Sequence, residues 1–307
     1  MRDAFVRALM REMADHERTV LLTGDLGFGV LRPVWDTYPD RIINAGIAEQ
    51  SMISMAAGLA MTGRRVVVYS IGNFPTLRPL EQIRNDCAYH DADVKIVCVG
   101  GGFVYGSLGM SHHATEDLAV MRAIPGVHVF APGDPAETEA VAPAMFALPG
   151  TCYLRIGRGH EPEVHTEPIR DWTVPRAIRL KAGRDLAILS TGGILTEVKR
   201  AGELLAARGI DAEIWSFPCV KPLDRETVRE LAGRFRRILT VEEHTVVGGF
   251  GSAVCEVTAE AAAPCAVRRI GLEDTFTAVV GDQQYLRKYY GMDGEAVAEK
   301  AAAWINE

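Results

Sequence analysis

The run Asn44-Ala-Gly-Ile-Ala-Glu-Gln50 opens a stretch of small and apolar residues that extends to Gly63. Within it Met52, Ile53, Met55, Ala56, Ala57, Leu59, Ala60 and Met61 place apolar residues nearly all round at helical spacing. That pattern predicts a helix buried in a core rather than laid on a surface. Glu49 falls in its first turn. The helix dipole favours a negative charge there and burial opposes it, so the carboxylate is set up to share a proton. These residues alone leave a plainer alternative open, a first-turn glutamate that only satisfies the helix N-terminus.

To either side of this helix, short β-branched runs alternate with helix-length segments. Strand candidates are Thr19–Thr23, Arg65–Ser70, Val94–Val99, Val127–Ala131 and Thr151–Ile156. A second set is Asp185–Ser190, Asp211–Phe217, Arg237–Glu242 and Ala266–Gly271. The spacing predicts buried parallel strands with crossover helices, an α/β fold. The stretch Gly157–Gly183 breaks the rhythm with Gly157, Gly159, Pro162, Pro168, Pro175 and many charges, which reads as a linker. The expected organisation is therefore a first domain over residues 1–160, a linker over 161–183 and a second domain over 184–307. Each is a mostly parallel sheet flanked by helices. Asp224, just after Pro222, reads as the N-cap of a helix through Leu231.

The chain has 307 residues, 48% of them hydrophobic, enough for one large core or two ordinary ones. A net charge of -7 argues against a nucleic-acid surface, which needs a clustered positive field. No apolar run approaches the roughly 18 residues of a membrane span. The amphipathic N-terminus lacks the apolar stretch of a signal peptide. The six cysteines form no C-x-x-C pair and several lie in apolar runs, so they read as reduced core residues of a cytoplasmic protein.

Several further stretches, taken together, resemble one family. They are Gly46-Ile-Ala-Glu-Gln50 with Ala56-Ala-Gly-Leu-Ala60, Val68-Tyr-Ser70 with Phe74, Arg78 and Glu81-Gln-Ile-Arg84, and Ser111-His-His-Ala-Thr-Glu-Asp117. Val129-Phe-Ala-Pro-Gly-Asp134, Leu223-Asp224 and Val241-Glu-Glu-His-Thr-Val-Val-Gly-Gly-Phe-Gly-Ser252 continue the series. In this order they resemble the pyrimidine-binding and C-terminal domains of the transketolase family, over nearly the whole chain. The resemblance implies thiamine diphosphate chemistry. It casts Glu49 as the carboxylate that exchanges a proton with N1′ of the cofactor's aminopyrimidine, general acid–base work in a dry site. The implied reaction moves a two-carbon ketol unit between sugars, expected to be phosphorylated. Related readings are a 2-oxoacid dehydrogenase β-type or 1-deoxyxylulose 5-phosphate synthase-like subunit, and last a non-catalytic structural subunit.

The family also holds a diphosphate and a metal ion, signalled by Gly-Asp-Gly followed downstream by Asn-Asn. Gly24-Asp-Leu-Gly27 is the nearest approach here, and no Asn-Asn occurs. Gly100-Gly-Gly102 lacks the Lys-Ser/Thr of a nucleotide phosphate loop. By the resemblance, this chain contacts the pyrimidine half only. A partner, the N-terminal transketolase subunit, would supply the diphosphate site and hold Mg2+ or Ca2+. The default assembly is an α2β2 heterotetramer, with the Glu49 helix at a subunit interface.

The remaining candidates rest on the same resemblance. Phe74, on a loop after a strand, is the candidate for stacking on the aminopyrimidine; Tyr69 competes, and core packing is the alternative for both. Arg78 supports that loop or substrate, or forms a surface ion pair. Asp25, after the first strand, matches an acidic residue near the cofactor. His112 matches the histidine near the reacting carbon, suited to hydrogen-bond a hydroxyl or move a proton. His113 stands beside it. Leu108, four residues before His112, replaces an aspartate that the family aims at a sugar hydroxyl. Arg158 lies where an arginine binds the acceptor's phosphate, with Arg155 as competitor and a linker charge as the alternative. Glu242 and His244 are read as structural.

Overall fold

Every residue of Thr19–Thr23 and of Val94–Val99 is buried, so both faces of these strands carry core. In the computed structural model, which describes residues 1–261 and 265–307, they belong to a seven-stranded sheet. Six of its strands run parallel: β1 (Thr19–Thr23), β2 (Ile42–Asn44), β3 (Arg65–Ile71), β4 (Val94–Val99), β5 (His128–Phe130) and β6 (Cys152–Ile156). The helices are α1 (Arg2–Asp15), α2 (Arg32–Thr37), α3 (Glu49–Met61), α4 (Leu80–Gln82), α5 (Asp117–Ala123) and α6 (Pro135–Ala147). Because side chains alternate along a strand, one residue set meets each layer. Leu22, Val66, Val68 and Ile96 pack with Met52, Ile53 and Ala56 of α3. Leu21, Val67, Tyr69 and Val97 pack with Phe5, Leu9 and Met13 of α1 and Met145 of α6.

The second sheet comprises β7 (Ile178–Lys181), β8 (Leu186–Thr191), β9 (Ala212–Ser216), β11 (Arg237–Thr245) and β12 (Ala266–Leu272), in the order β12-β11-β8-β9-β7. It is flanked by α7 (Leu195–Ala207), α8 (Arg225–Arg234), α9 (Phe250–Ala259), α10 (Gln283–Tyr289) and α11 (Gly294–Ile305). Asp224 caps α8, accepting from the Thr227 amide at 3.0 Å. Glu242 caps α9 through the amides of Phe250 and Gly251.

Four elements depart from the sequence reading, among them β2, which none of the strand candidates covers. Ile178–Lys181, inside the stretch read as linker, pairs antiparallel with β9. The short strand β10 (Cys219–Lys221) follows β9 in the chain yet pairs antiparallel with β5 of the first sheet, with Cys219 opposite Phe130. And α3 is not buried all round: Met55, Gly58 and Met61 face solvent. Its inner stripe meets the chain's own sheet, while the outer stripe stays apolar and open.

Candidate active site

The first-sheet strands point their carboxyl ends at one rim, the usual place for ligand sites in such sheets. Asp25 follows β1, Phe74 follows β3, and the loop carrying His112 and His113 follows β4. Glu49 is the first residue of α3, just after β2.

Glu49 is 6% exposed. Its Oε1 accepts from Arg78 Nη1 at 2.9 Å. The Arg78 guanidinium lies over the Phe74 ring, 3.9 Å from its centroid, a cation–π contact. Phe74 in turn meets the half-buried His112 edge to face, with centroids 5.1 Å apart. Residues far apart in sequence thus form one continuous line: Glu49, Arg78, Phe74, His112. A shallow hollow of about 420 Å³ lined by Ile47, Ala48, Glu49, Gln50, Ser51 and Arg78 opens onto the carboxylate.

Behind Arg78 the chain passes through α4 into a π-helical segment, Ile83–Ala88, that packs on α3. Ser54 of α3 donates to Asp86 there at 2.6 Å. Such segments recur at functional sites; here it locks the Arg78 loop to the helix that carries Glu49.

Asp25 sits in the left-handed region, φ 57°, and is clasped by Asn44. The Asp25 amide donates to Asn44 Oδ1 at 2.9 Å, and Asn44 Nδ2 donates to Asp25 Oδ1 at 3.0 Å. Asn44 Oδ1 also accepts from the Gly46 amide at 3.0 Å. This clasp fixes the approach to Glu49, and Asn44's part in it was not read from the sequence.

Tyr69 is placed elsewhere. It is fully buried on the opposite face of the sheet, stacked on Phe5 with centroids 6.3 Å apart. It points away because it belongs to the α1 side of the alternation. Of the two stacking candidates, only the half-buried Phe74 offers a ring face at the rim.

His113 is buried against Phe103, ring centroids 5.4 Å apart. Burial pushes its pKa down, so the ring is neutral near pH 7. Among the described residues its Nδ1 has no hydrogen-bond partner. Leu108 is 55% exposed on the same loop, with Met110 also exposed.

Arg158 is exposed, its guanidinium 5.6 Å from the Tyr105 centroid. It lines a cavity of about 300 Å³ between the two sheets, along with Ser107, Gln283 and Gln284. Its competitor Arg155 is buried and committed to Asp117 at 3.2 Å and to the Glu243 carbonyl at 2.6 Å. His244 Nδ1 lies 2.7 Å from the Thr245 carbonyl and its Nε2 3.3 Å from the Ala119 amide, an internal tie between the domains. Among the described residues one cluster has metal-ligand geometry, Asp134, Glu137 and His165. It sits at the start of α6, where Asp134 caps the helix, and includes none of the rim residues. No helix among the described residues is long and apolar enough to cross a membrane.

The site residues fit the pyrimidine half of thiamine diphosphate: a buried carboxylate at a helix start, open to a hollow, beside an aromatic ring face.

The family model described as transketolase, pyrimidine binding domain, matches residues 1–162, and that described as transketolase, C-terminal domain, matches residues 176–297. An apulose-4-phosphate transketolase subunit of Phocaeicola vulgatus is 33% identical over 100% of this chain and 97% of its own length. The 6-deoxy-6-sulfo-D-fructose transketolase subunit of a Clostridium species is 34% identical over 98% of this chain and 93% of its own. A solved split-gene transketolase, an inactive β4 tetramer, superposes with a TM-score of 0.87 at 34% identity, covering 99% of this chain and 97% of that one.

Proposed function

The chain belongs to the transketolase family, and we propose that it is the pyrimidine-side subunit of a thiamine diphosphate-dependent transketolase completed by a separate N-terminal subunit. The observation that carries this reading is the line from the buried Glu49 through Arg78 and Phe74 to His112. When bound, the cofactor supplies the nucleophilic carbon that accepts the two-carbon ketol unit.

This chain's residues do the rest on their side of the site. Glu49 holds or releases a proton at the aminopyrimidine N1′. Arg78, half exposed, yields the carboxylate and stays over Phe74, whose free face receives the pyrimidine. His112 hydrogen-bonds a hydroxyl near the reacting carbon, and His113 braces the loop from behind. Arg158 binds an anionic end of the sugar. The two relatives act on sugars carrying a phosphate or a sulfonate, which suits a guanidinium. The partner holds the diphosphate and Mg2+ or Ca2+, and two copies of each chain form an α2β2 assembly. The open apolar stripe of α3 (Met55, Gly58, Met61) supports an interface on that face.

The test is co-expression with a partner chain that carries Gly-Asp-Gly and Asn-Asn, then an assay with thiamine diphosphate, Mg2+ and a panel of phosphorylated and sulfonated ketoses. Ketol transfer by the complex and by neither chain alone is expected. Tight binding of the whole cofactor by this chain alone would overturn the split site.

A further inference from the structure

The loop that carries Leu108, His112 and His113 leaves β4 at Gly100 and is pinched shut where Gly102 and Ala114 exchange backbone hydrogen bonds of 2.8 and 3.0 Å. At its entry, the Phe103 amide has no strand neighbour. A buried amide must find an acceptor, and it finds one 140 residues away: Glu243 Oε1, at 2.6 Å. Glu243 stands near the end of β11 in the other domain and is 4% exposed. At the loop's exit, the Thr245 amide donates to the Thr115 carbonyl at 2.8 Å. Two residues of β11 thus grip both ends of the loop.

The fit at the entry is close. Gly102 has φ +61°, and a Cβ there would lie 2.5 Å from Glu243 Oε1. The carboxylate is fixed in turn by Arg287 Nε at 2.6 Å and Gln283 Nε2 at 2.9 Å, so a buried charge is paired and hydrogen-bonded as it must be. Phe103, fully buried between His113 and Tyr290, transmits the position to the histidine pair.

We propose that Glu243 is a positioning residue for the substrate site: through the Phe103 amide it sets where the loop holds Leu108 and His112, making the C-terminal domain part of the sugar-binding apparatus. The inference rests on the transketolase reading of that loop. A misplacement of about 1 Å at such a site costs on the order of 10²-fold.

The experiment uses the assembled enzyme with its partner chain. Glu243→Gln removes the charge that Arg287 fixes; Gly102→Ala drives a methyl into the same carboxylate from the other side. Both should raise KM for donor and acceptor by about 10-fold or more while thiamine diphosphate affinity stays within about twofold. Amide hydrogen exchange over residues 103–114 should quicken while β1, β3 and β4 keep their protection. Unchanged KM together with unchanged loop exchange overturns the proposal. So does a joint fall of kcat and cofactor affinity with KM untouched, the pattern of a general fold defect. A wild-type complex inactive on every ketose, with a loop that still loosens in Glu243→Gln, supports the positioning role and counts against the transketolase reading instead.

Discussion

Arg78 donates a 2.9 Å hydrogen bond to Glu49 while its guanidinium covers one face of Phe74. A single flexible side chain therefore touches both groups proposed to hold the aminopyrimidine. It is 48% exposed, whereas its partner's side chain is 7% exposed. The carboxylate is fixed by the fold, and the arginine is the part free to move.

That asymmetry makes the pair weak as a support. Arg78→Ala should change the unfolding free energy of the chain by less than about 2 kcal/mol, since half-exposed ion pairs and cation–π contacts each give about 1 kcal/mol or less. Urea unfolding of the isolated chain measures it. A loss above about 2 kcal/mol would mean that the arginine is structural and not a movable cover.

Glu49→Gln keeps the shape of the side chain and removes its ability to exchange a proton. Ketol transfer by the complex should fall by about 10²-fold or more, with the thermal midpoint of the isolated chain nearly unmoved. Appreciable activity in the variant would remove Glu49 from the proposed proton exchange.

The cluster at the start of α6 should give stability a pH dependence. Burial raises the Glu137 pKa from 4.5 to about 7. Burial opposes the charge on His165, but its hydrogen bond to Asp134 and the nearby Glu137 hold its pKa above the usual value. Between pH 4.5 and 7 the folded chain therefore binds more protons at Glu137 than the unfolded chain does, so this group's contribution to stability falls as pH rises through that window. His165 acts in the same direction, its contribution being lost as pH rises through its elevated folded pKa. Glu137→Gln, which mimics the protonated acid, should gain in melting temperature relative to wild type, more at about pH 8 than at about pH 5. A gain that is larger in acid would reverse the assignment.

Leu108 presents an apolar, exposed side chain on the loop beside His112. Leu108→Asp should raise the preference of the complex for a hydroxylated sugar over its deoxy analogue by about 10-fold, because a polar group left unpaired penalises the analogue. The ratio of kcat/KM values measures it. An unchanged ratio would show that the loop position does not face the sugar.

The sequence was most readable where a physical constraint acts locally. Thr19–Thr23 and Val94–Val99 are uninterrupted runs because both faces of a central parallel strand need core, and the observed strands have the same bounds. Glu49 opens its helix where the apolar pattern begins. The three residues of β10 carry no period to read, and their partner β5 lies far back in the chain. The outer stripe of α3 misled for another reason: composition reports that a face is apolar and not which molecule covers it. Glu49 with Arg78 and Glu243 with the Phe103 amide join residues 29 and 140 positions apart. In the second pair the donor is backbone, which leaves no trace in residue type. That Phe74 and His112 share a rim was legible only through family resemblance.

Strand β10 has a consequence for how the molecule is made. β5 gains its outer neighbour from residues 219–221, so the first sheet cannot close while only its own segment has left the ribosome. During synthesis the nascent N-terminal half carries a bare edge at β5, a template for pairing with another chain. Cutting the gene at the linker would make that interim state permanent. The two halves are thus one folding unit, joined by a strand the second lends to the first.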